Sequence, residues 1–229
     1  LGWGRHERKG RGQQEPNRKI LRHLSSRTQE RQICGAGAEK KLWWGDAFFY
    51  HPFSPSQAAF VTLDPDTAHA SLVVSRDRRG VRWTDAEQDL PPDPRRFDVF
   101  CCVLGHRGFN AGRHSWEVEV VAGGTWALGV ARNSLSRRGC LEFRPEEGIW
   151  AVGRCGNRYR AFASPPTTLP TSGNPRRIQV VLDYEGEQVA FYSAEQLPPV
   201  FTFQKACFGG ESIFPFFWVG RGSHLRLCP

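Results

Sequence analysis

The chain is 229 residues long, 39% hydrophobic and formally +8, a length for one large domain or two small ones and an apolar share too low for two good cores. The charge resembles that of a nucleic-acid binder until it is divided. Residues 1–56 hold 11 Lys/Arg against 5 Asp/Glu and residues 57–229 hold 20 against 18, which argues against nucleic-acid binding through anything but the N-terminal stretch.

Seven cysteines (Cys34, Cys101, Cys102, Cys140, Cys155, Cys207, Cys228) have neither the even count of a disulfide framework nor the C-x-x-C spacing of a zinc site. They read as buried, reduced thiols of a cytoplasmic protein. No apolar run reaches 18 residues, so no membrane span is expected. Sixteen Phe and eight Trp without a single Met describe a core of rigid aromatic plates. The missing Met and the opening Leu1 read as a fragment of a longer protein or an incomplete gene model.

Residues 1–56 are polar, basic and irregular, a composition that cannot bury enough surface to offset ordering entropy. They read as a low-order tail, either a linker or translated non-coding sequence. Ile20, Leu21 and Leu24 offer a helical turn or two, and Trp43, Trp44, Phe48, Phe49 and Tyr50 form its one sticky patch. Beyond Phe60 short β-branched and aromatic runs alternate with Gly, Pro and Asp, the texture of an all-β sandwich. Strands are expected at 72–75 and 81–83, then a short turn at 85–90. In 115–121 Trp116, Val118 and Val120 face the core while Glu117 and Glu119 face solvent. Gly123 and Gly124 then lead into 125–131, where Trp126, Leu128 and Val130 repeat the alternation, so the two runs read as a hairpin. Further strands are expected at 149–152, 159–162, 178–182 and 188–192 (a second hairpin), 200–203, 214–219 and 225–228.

Read in order, LDPDTAHASLVVS (63–75), VRW (81–83), RFDVFCCVLG (96–105), GRHSWEVEV (112–120), WALGVA (126–131), GIWAVG (148–153), LDYE (182–185), FPFF (214–217) and LRLCP (225–229) resemble the PRY-SPRY domain of tripartite-motif and butyrophilin proteins. The resemblance implies an all-β sandwich of two curved, concanavalin-like antiparallel sheets, with PRY over 57–110 and SPRY over 111–229. It also implies a non-catalytic module that recognises a protein target, as the end of a tripartite-motif-type E3 ubiquitin ligase in innate immunity. The alternative it offers is a cytosolic butyrophilin-type tail sensing a small anionic ligand. A RING domain, which ligase activity requires, has no counterpart in this sequence, so the chain is not expected to be an enzyme or to need a cofactor or metal. Any dimerisation is expected through a coiled coil outside it.

Most of the signature reads as structural. Trp116, Trp126 and Trp150 are core positions, Asp64, Pro65 and Thr67 make a turn, and Asp183 and Glu185 flank a hairpin turn rather than forming an acid/base pair. The functional weight falls on loops. The partner-binding candidates are Arg132, Asn133, Arg137 and Arg138 in one connection, Arg154, Asn157 and Arg158 in another, and Phe100, Trp218 and Arg221. Of the 20 basic residues after 56, only Lys205 is not Arg, and Arg suits carboxylate forks and interface hot spots. Butyrophilins that sense small phosphates carry His and Tyr at positions matching Phe100 and Cys101, and basic residues matching Arg137 and Arg138. Here only the Arg pair is present, which favours an apolar anchor pocket around Phe100. Antibody-binding relatives carry Trp at positions matching Gly153 and Cys155, so that specificity is not expected. On this reading Arg137→Glu or Phe100→Ala abolishes partner capture and leaves the melting temperature nearly unchanged.

Overall fold

The computed structural model describes residues 57–169, 175–193 and 196–229. Residues 1–56, with the tail's short helical stretch, its aromatic patch and Cys34, lie outside the described residues. In chain order the strands are β1 (Gln57–Ala58), β2 (Leu72–Val74), β3 (Gly80–Trp83), β4 (Cys102–Leu104), β5 (Arg113–Ala122), β6 (Trp126–Arg132), β7 (Ile149–Cys155), β8 (Arg158–Ala161), β9 (Thr167–Thr168), β10 (Arg177–Asp183), β11 (Gln188–Ser193), β12 (Gln196–Gln204), β13 (Ile213–Val219) and β14 (His224–Leu227), with a 3-10 turn at Pro145–Glu147. Sheet I has the order β12-β11-β10-β5-β14-β3-β2, and β1 runs parallel to the start of β5; sheet II has the order β4-β13-β6-β7-β8-β9. The other strand pairs are antiparallel.

Side-chain alternation builds the inner layer. Trp116 and Val118 of β5 are buried while Glu117 and Glu119 are only partly covered. Outside the core Glu117 and Glu119 meet Arg177 and Arg176 at 3.3 and 3.5 Å. Val118, Val180, Leu182, Phe191 and Leu225 of sheet I pack with Leu128, Val130, Trp150, Val152, Phe217 and Val219 of sheet II in one core. Each such side chain, fully buried, contributes about 1.5–3 kcal/mol. The hairpin expected at 178–192 is present as β10–β11.

The other expected hairpin is not. β5 pairs with β10 and β14 in sheet I, whereas β6 pairs with β13 and β7 in sheet II. Gly123 and Gly124 therefore carry the chain between sheets. A Cβ at Gly124 would lie 2.3 Å from the Arg221 carbonyl oxygen, so the bare backbone is required by this close passage rather than by a tight turn. The short turn expected at 85–90 is an irregular segment, and its Gln88 amide donates to the carbonyls of Ala70 and Leu72 at 3.1 and 2.6 Å. That contact covers the free edge of β2, where unpaired carbonyls would otherwise invite another strand. β1, β4 and β9, of two or three residues each, fall outside the strands expected from the sequence.

The strands β4, β13, β6 and β7 of sheet II are buried on both faces, while its β8–β9 edge is not. Ala127, Gly129 and Ala131, which alternate with the inward residues of β6, are themselves buried. The register places Phe216 opposite Gly129 and Trp218 opposite Ala127. Over this small-residue surface Phe143, from the loop after β6, sits 5.1 to 5.6 Å from the rings of Phe100, Phe162, Phe216 and Trp218. The result is a second apolar layer on the outside of sheet II, roofed by the 133–148 connection.

The cysteines divide. Cys102 and Cys155 are buried and Cys101 and Cys228 partly so, but Cys140 and Cys207 are exposed. The expectation of uniformly buried thiols is thus corrected: these two sit on loops, where no sheet covers them.

Candidate partner-recognition site

Two irregular connections meet on the PRY side of this outer layer, 84–101 between β3 and β4 and 133–148 between β6 and β7. The first is forced to be irregular by Pro91, Pro92 and Pro94, which cannot donate to a ladder. It is anchored at its end by Arg96, whose guanidinium donates to the carbonyls of Pro65 and Ala68 at 2.9 and 2.6 Å. Arg95 binds Asp66 and Asp93 at 2.9 and 2.8 Å. Asp98 ties the two connections together. Its carboxylate accepts the Gly139 N–H at 2.9 Å and pairs with Arg138 at 3.7 Å, and its own N–H donates to the Arg137 carbonyl at 3.1 Å.

Between the lips lies an open cleft of about 200 Å³ lined by His69, Glu87, Pro91, Pro92, Asp93, Phe97, Asp98 and Arg138 among others. His69 is fixed at its floor: Nδ1 accepts the Ser71 N–H at 3.0 Å, so Nε2 carries the proton and donates to the Asp98 carbonyl at 3.2 Å. Burial holds its pKa below the usual value, partly opposed by the Asp98 hydrogen bond. Cys101, 3.7 Å from His69 Nδ1, is no nucleophile, because burial raises its thiol to about 11. The cleft offers shape, apolar surface from Leu90, Pro91 and Pro92, and fixed charges, which suit recognition rather than bond making.

The structure brings together only part of the sequence-derived site. Asn133 and Arg138 are exposed on the second lip. Arg137 is half-buried, its guanidinium 4.9 Å from the Phe97 ring centroid, and desolvation lowers its pKa. Phe100 and Trp218 are 5% and 2% exposed, so the apolar anchor pocket expected around Phe100 is a filled aromatic layer. Arg132 stacks over Trp150 at 5.3 Å and donates to the Cys207 carbonyl, tying its loop to the sandwich. Arg154, Asn157 and Arg158 form a separate group at the β7–β8 turn. There Arg154 donates to the Gly156 and Gly123 carbonyls at 3.0 and 3.1 Å, while Asn157 and Arg158 are exposed. Arg221 stands apart, against the Trp83 ring at 5.4 Å and paired with Asp85 at 2.8 Å. A Cβ at Gly153 would lie 2.2 Å from the Trp126 carbonyl oxygen, so this backbone excludes a Trp there.

Residues read as structural behave so. Thr67 donates to the Asp64 carbonyl at 2.8 Å, Asp183 accepts the Gly186 N–H at 2.8 Å, and Glu185 accepts the Gly112 N–H at 2.8 Å. Sequence reasoning missed His69, Glu87, Phe97 and Asp98 as cleft residues. The available signal was the Pro91-Pro92 pair, which marks a loop.

Comparisons with known proteins agree with this architecture. Residues 61–109 match the SPRY-associated domain, PRY, and residues 113–229 match the SPRY domain. Butyrophilin subfamily 1 member A1 of Bos taurus is 44% identical over 174 residues, covering 75% of this chain and 33% of the relative. The E3 ubiquitin-protein ligase TRIM15 of Sus scrofa is 46% identical over 175 residues, covering 75% of this chain and 38% of the relative. The crystal structure of the TRIM65 PSpry domain superposes with a TM-score of 0.63 at 27% identity, covering 75% of this chain and 93% of that one. The chain thus spans little more than a third of the length of these curated relatives. No helix among the described residues is long and apolar enough to cross a membrane. The kinship with tripartite-motif and butyrophilin proteins supports a protein-interaction module, and by its sequence matches the chain belongs to the SPRY domain family, with the PRY segment ahead of the SPRY domain.

Proposed function

We propose that residues 57–229 form the target-recognition end of a cytoplasmic tripartite-motif-type E3 ubiquitin ligase acting in innate immunity, and that the target is a protein held at the cleft between the 84–101 and 133–148 connections. The observation that carries this reading is the cleft itself, a concavity on irregular segments braced by a rigid sandwich. In this reading Asn133 and Arg138 touch the partner, Arg137, Phe100 and Trp218 support the lip from beneath, and Arg154, Asn157, Arg158 and Arg221 make outlying contacts. Ubiquitin transfer is the work of other parts of the longer protein, which dimerises through a coiled coil. Residues 1–56 serve as the linker, and the domain makes no contact with nucleic acid.

A photo-crosslinking residue placed at Val99, beside the cleft, and another at Gln179 on the outer face of sheet I test the site in cells. A discrete partner adduct at Val99, lost in Arg138→Glu and in Glu87→Lys, is expected. Equal adducts at both positions would remove the cleft from the reading. Ubiquitylation of the captured partner separates the ligase reading from simple binding.

The butyrophilin match favours a second reading, a receptor's cytosolic tail with Arg138 contacting a small anionic ligand. The aromatic filling around Phe100 counts against the ligand pocket. Calorimetric titration with phosphorylated metabolites decides, and a flat response removes it.

A further inference from the structure

The β2–β3 turn concentrates positive charge on a domain that is otherwise nearly balanced. Residues 75–80 read Ser-Arg-Asp-Arg-Arg-Gly. The turn closes on itself: Arg78 N–H donates to the Ser75 carbonyl at 2.9 Å and Gly80 N–H to Ser75 Oγ at 2.7 Å. Its one carboxylate is fully engaged. Asp77 accepts the Ser75 hydroxyl, the Arg79 N–H at 3.1 Å and the Arg226 guanidinium at 2.8 Å. Arg76, Arg78 and Arg82 are exposed and make no ion pair among the described residues.

The sheet register extends the patch. β14 pairs with β3 so that Arg226 lies opposite Gly80 and His224 opposite Arg82, which puts Arg82, His224 and Arg226 on one face. The carboxylate nearest in register is Glu119, opposite Arg226, and it already meets Arg176. The lowered pKa of His224, set by burial and then by Arg226 and Arg82, accords with a locally positive surface. Beside the turn Phe60 is 75% exposed, with the Arg79 guanidinium 5.3 Å from its ring centroid. Arg78 also holds a φ of +55°, a left-handed conformation in which Gly or Asn is the ordinary occupant.

We propose that this face, with Arg76, Arg78, Arg82 and Phe60 as its contacts, is a second recognition surface that takes an acidic protein segment with an apolar residue among its carboxylates. Three unpaired guanidinium groups offer forks that match carboxylates, and the ring supplies the apolar contact. A long nucleic acid is the poorer fit, since polyanion binding draws on an extended basic track whereas residues 57–229 hold 20 basic against 18 acidic residues. The surface is independent of the cleft.

Fluorescence anisotropy on the full chain tests it, with a labelled short peptide of Asp and Glu around one Leu, its Asn/Gln counterpart, and a single-stranded RNA. The acidic peptide is expected to bind, to weaken as salt rises, and to bind at least about tenfold more weakly to Arg76→Glu/Arg82→Glu. Arg78→Gly keeps the backbone conformation and removes the charge, so it is expected to fold as well as the parent and still bind less. Arg138→Glu leaves the affinity unchanged. An affinity untouched by the double reversal assigns any binding to the basic tail and overturns the proposal. RNA bound more tightly than the peptide and lost in the same variants overturns it too, as does no binding of the acidic peptide.

Discussion

Replacing Phe143 by Ala removes the ring at the centre of the outer aromatic layer, and the structure makes the consequence large. The side chain is 7% exposed and faces four other rings, with centroids 5.1 to 5.6 Å away. Truncating a buried Phe costs roughly 3–5 kcal/mol, because lost transfer energy adds to the cavity left behind. The small residues beneath, Ala127 and Gly129, cannot swell into that space, which places this site toward the upper part of the range. For a domain of this size each kcal/mol lowers the melting temperature by about 2–4 °C, so a fall of roughly 6–20 °C is expected by calorimetry. The roof formed by the 133–148 connection should loosen with it, and trypsin should cut at Arg137 and Arg138 faster in the variant than in the parent. A loss below about 1 kcal/mol, the size of an ordinary surface change, would refute the claim that this ring holds the roof down.

The same reasoning reverses the expected behaviour of Phe100→Ala: a residue buried against Phe143 should lower the melting temperature by several degrees instead of acting on binding alone. Gly129→Ala should cost about 1–3 kcal/mol in urea melts, since its Cβ would stand 2.1 Å from the Trp150 carbonyl oxygen. His69 favours its neutral form in the folded state, so the unfolded chain binds more protons just below pH 6.5 and stability should fall as pH drops through that region; the slope should shrink in His69→Gln. In residue-resolved mass spectrometry iodoacetamide should label Cys140 and Cys207 first among the cysteines of the described residues, while Cys102 and Cys155 react only on unfolding.

Alternation made the inner core legible. Trp116 and Val118 against Glu117 and Glu119 announce one wet face and one dry one, and β5 has both. Alternation is silent about which sheet a strand joins. Gly123 and Gly124 fit a hairpin turn in sequence as well as they fit a passage between sheets, and only the pairing partners of β6 tell the two apart. The second apolar layer does show in the sequence: the positions between Trp126, Leu128 and Val130 are Ala127, Gly129 and Ala131, with no polar residue to face water. A strand that is apolar at both alternating sets is covered on both sides. Phe100 and Trp218 looked like surface anchors because the loop that buries them comes from a remote part of the chain. The arginines failed differently. Composition shows how many there are, but only the fold shows that Arg137 leans on Phe97 and Arg132 on Trp150 while the guanidinium groups of Arg76, Arg78 and Arg82 make no ion pair among the described residues.

Asp98 has a wider bearing than its place on the cleft wall. Through side chain and backbone this single residue bonds Gly139, Arg138, Arg137 and His69, so the two lips and the floor share one fastening. A change of length or sequence in one lip must preserve the reach of that fastening or be matched by a change in the other. New binding specificities in this chain should therefore arise from paired alterations of the 84–101 and 133–148 connections. A library that diversifies both together should yield more folded binders than libraries that diversify either one with the other held fixed.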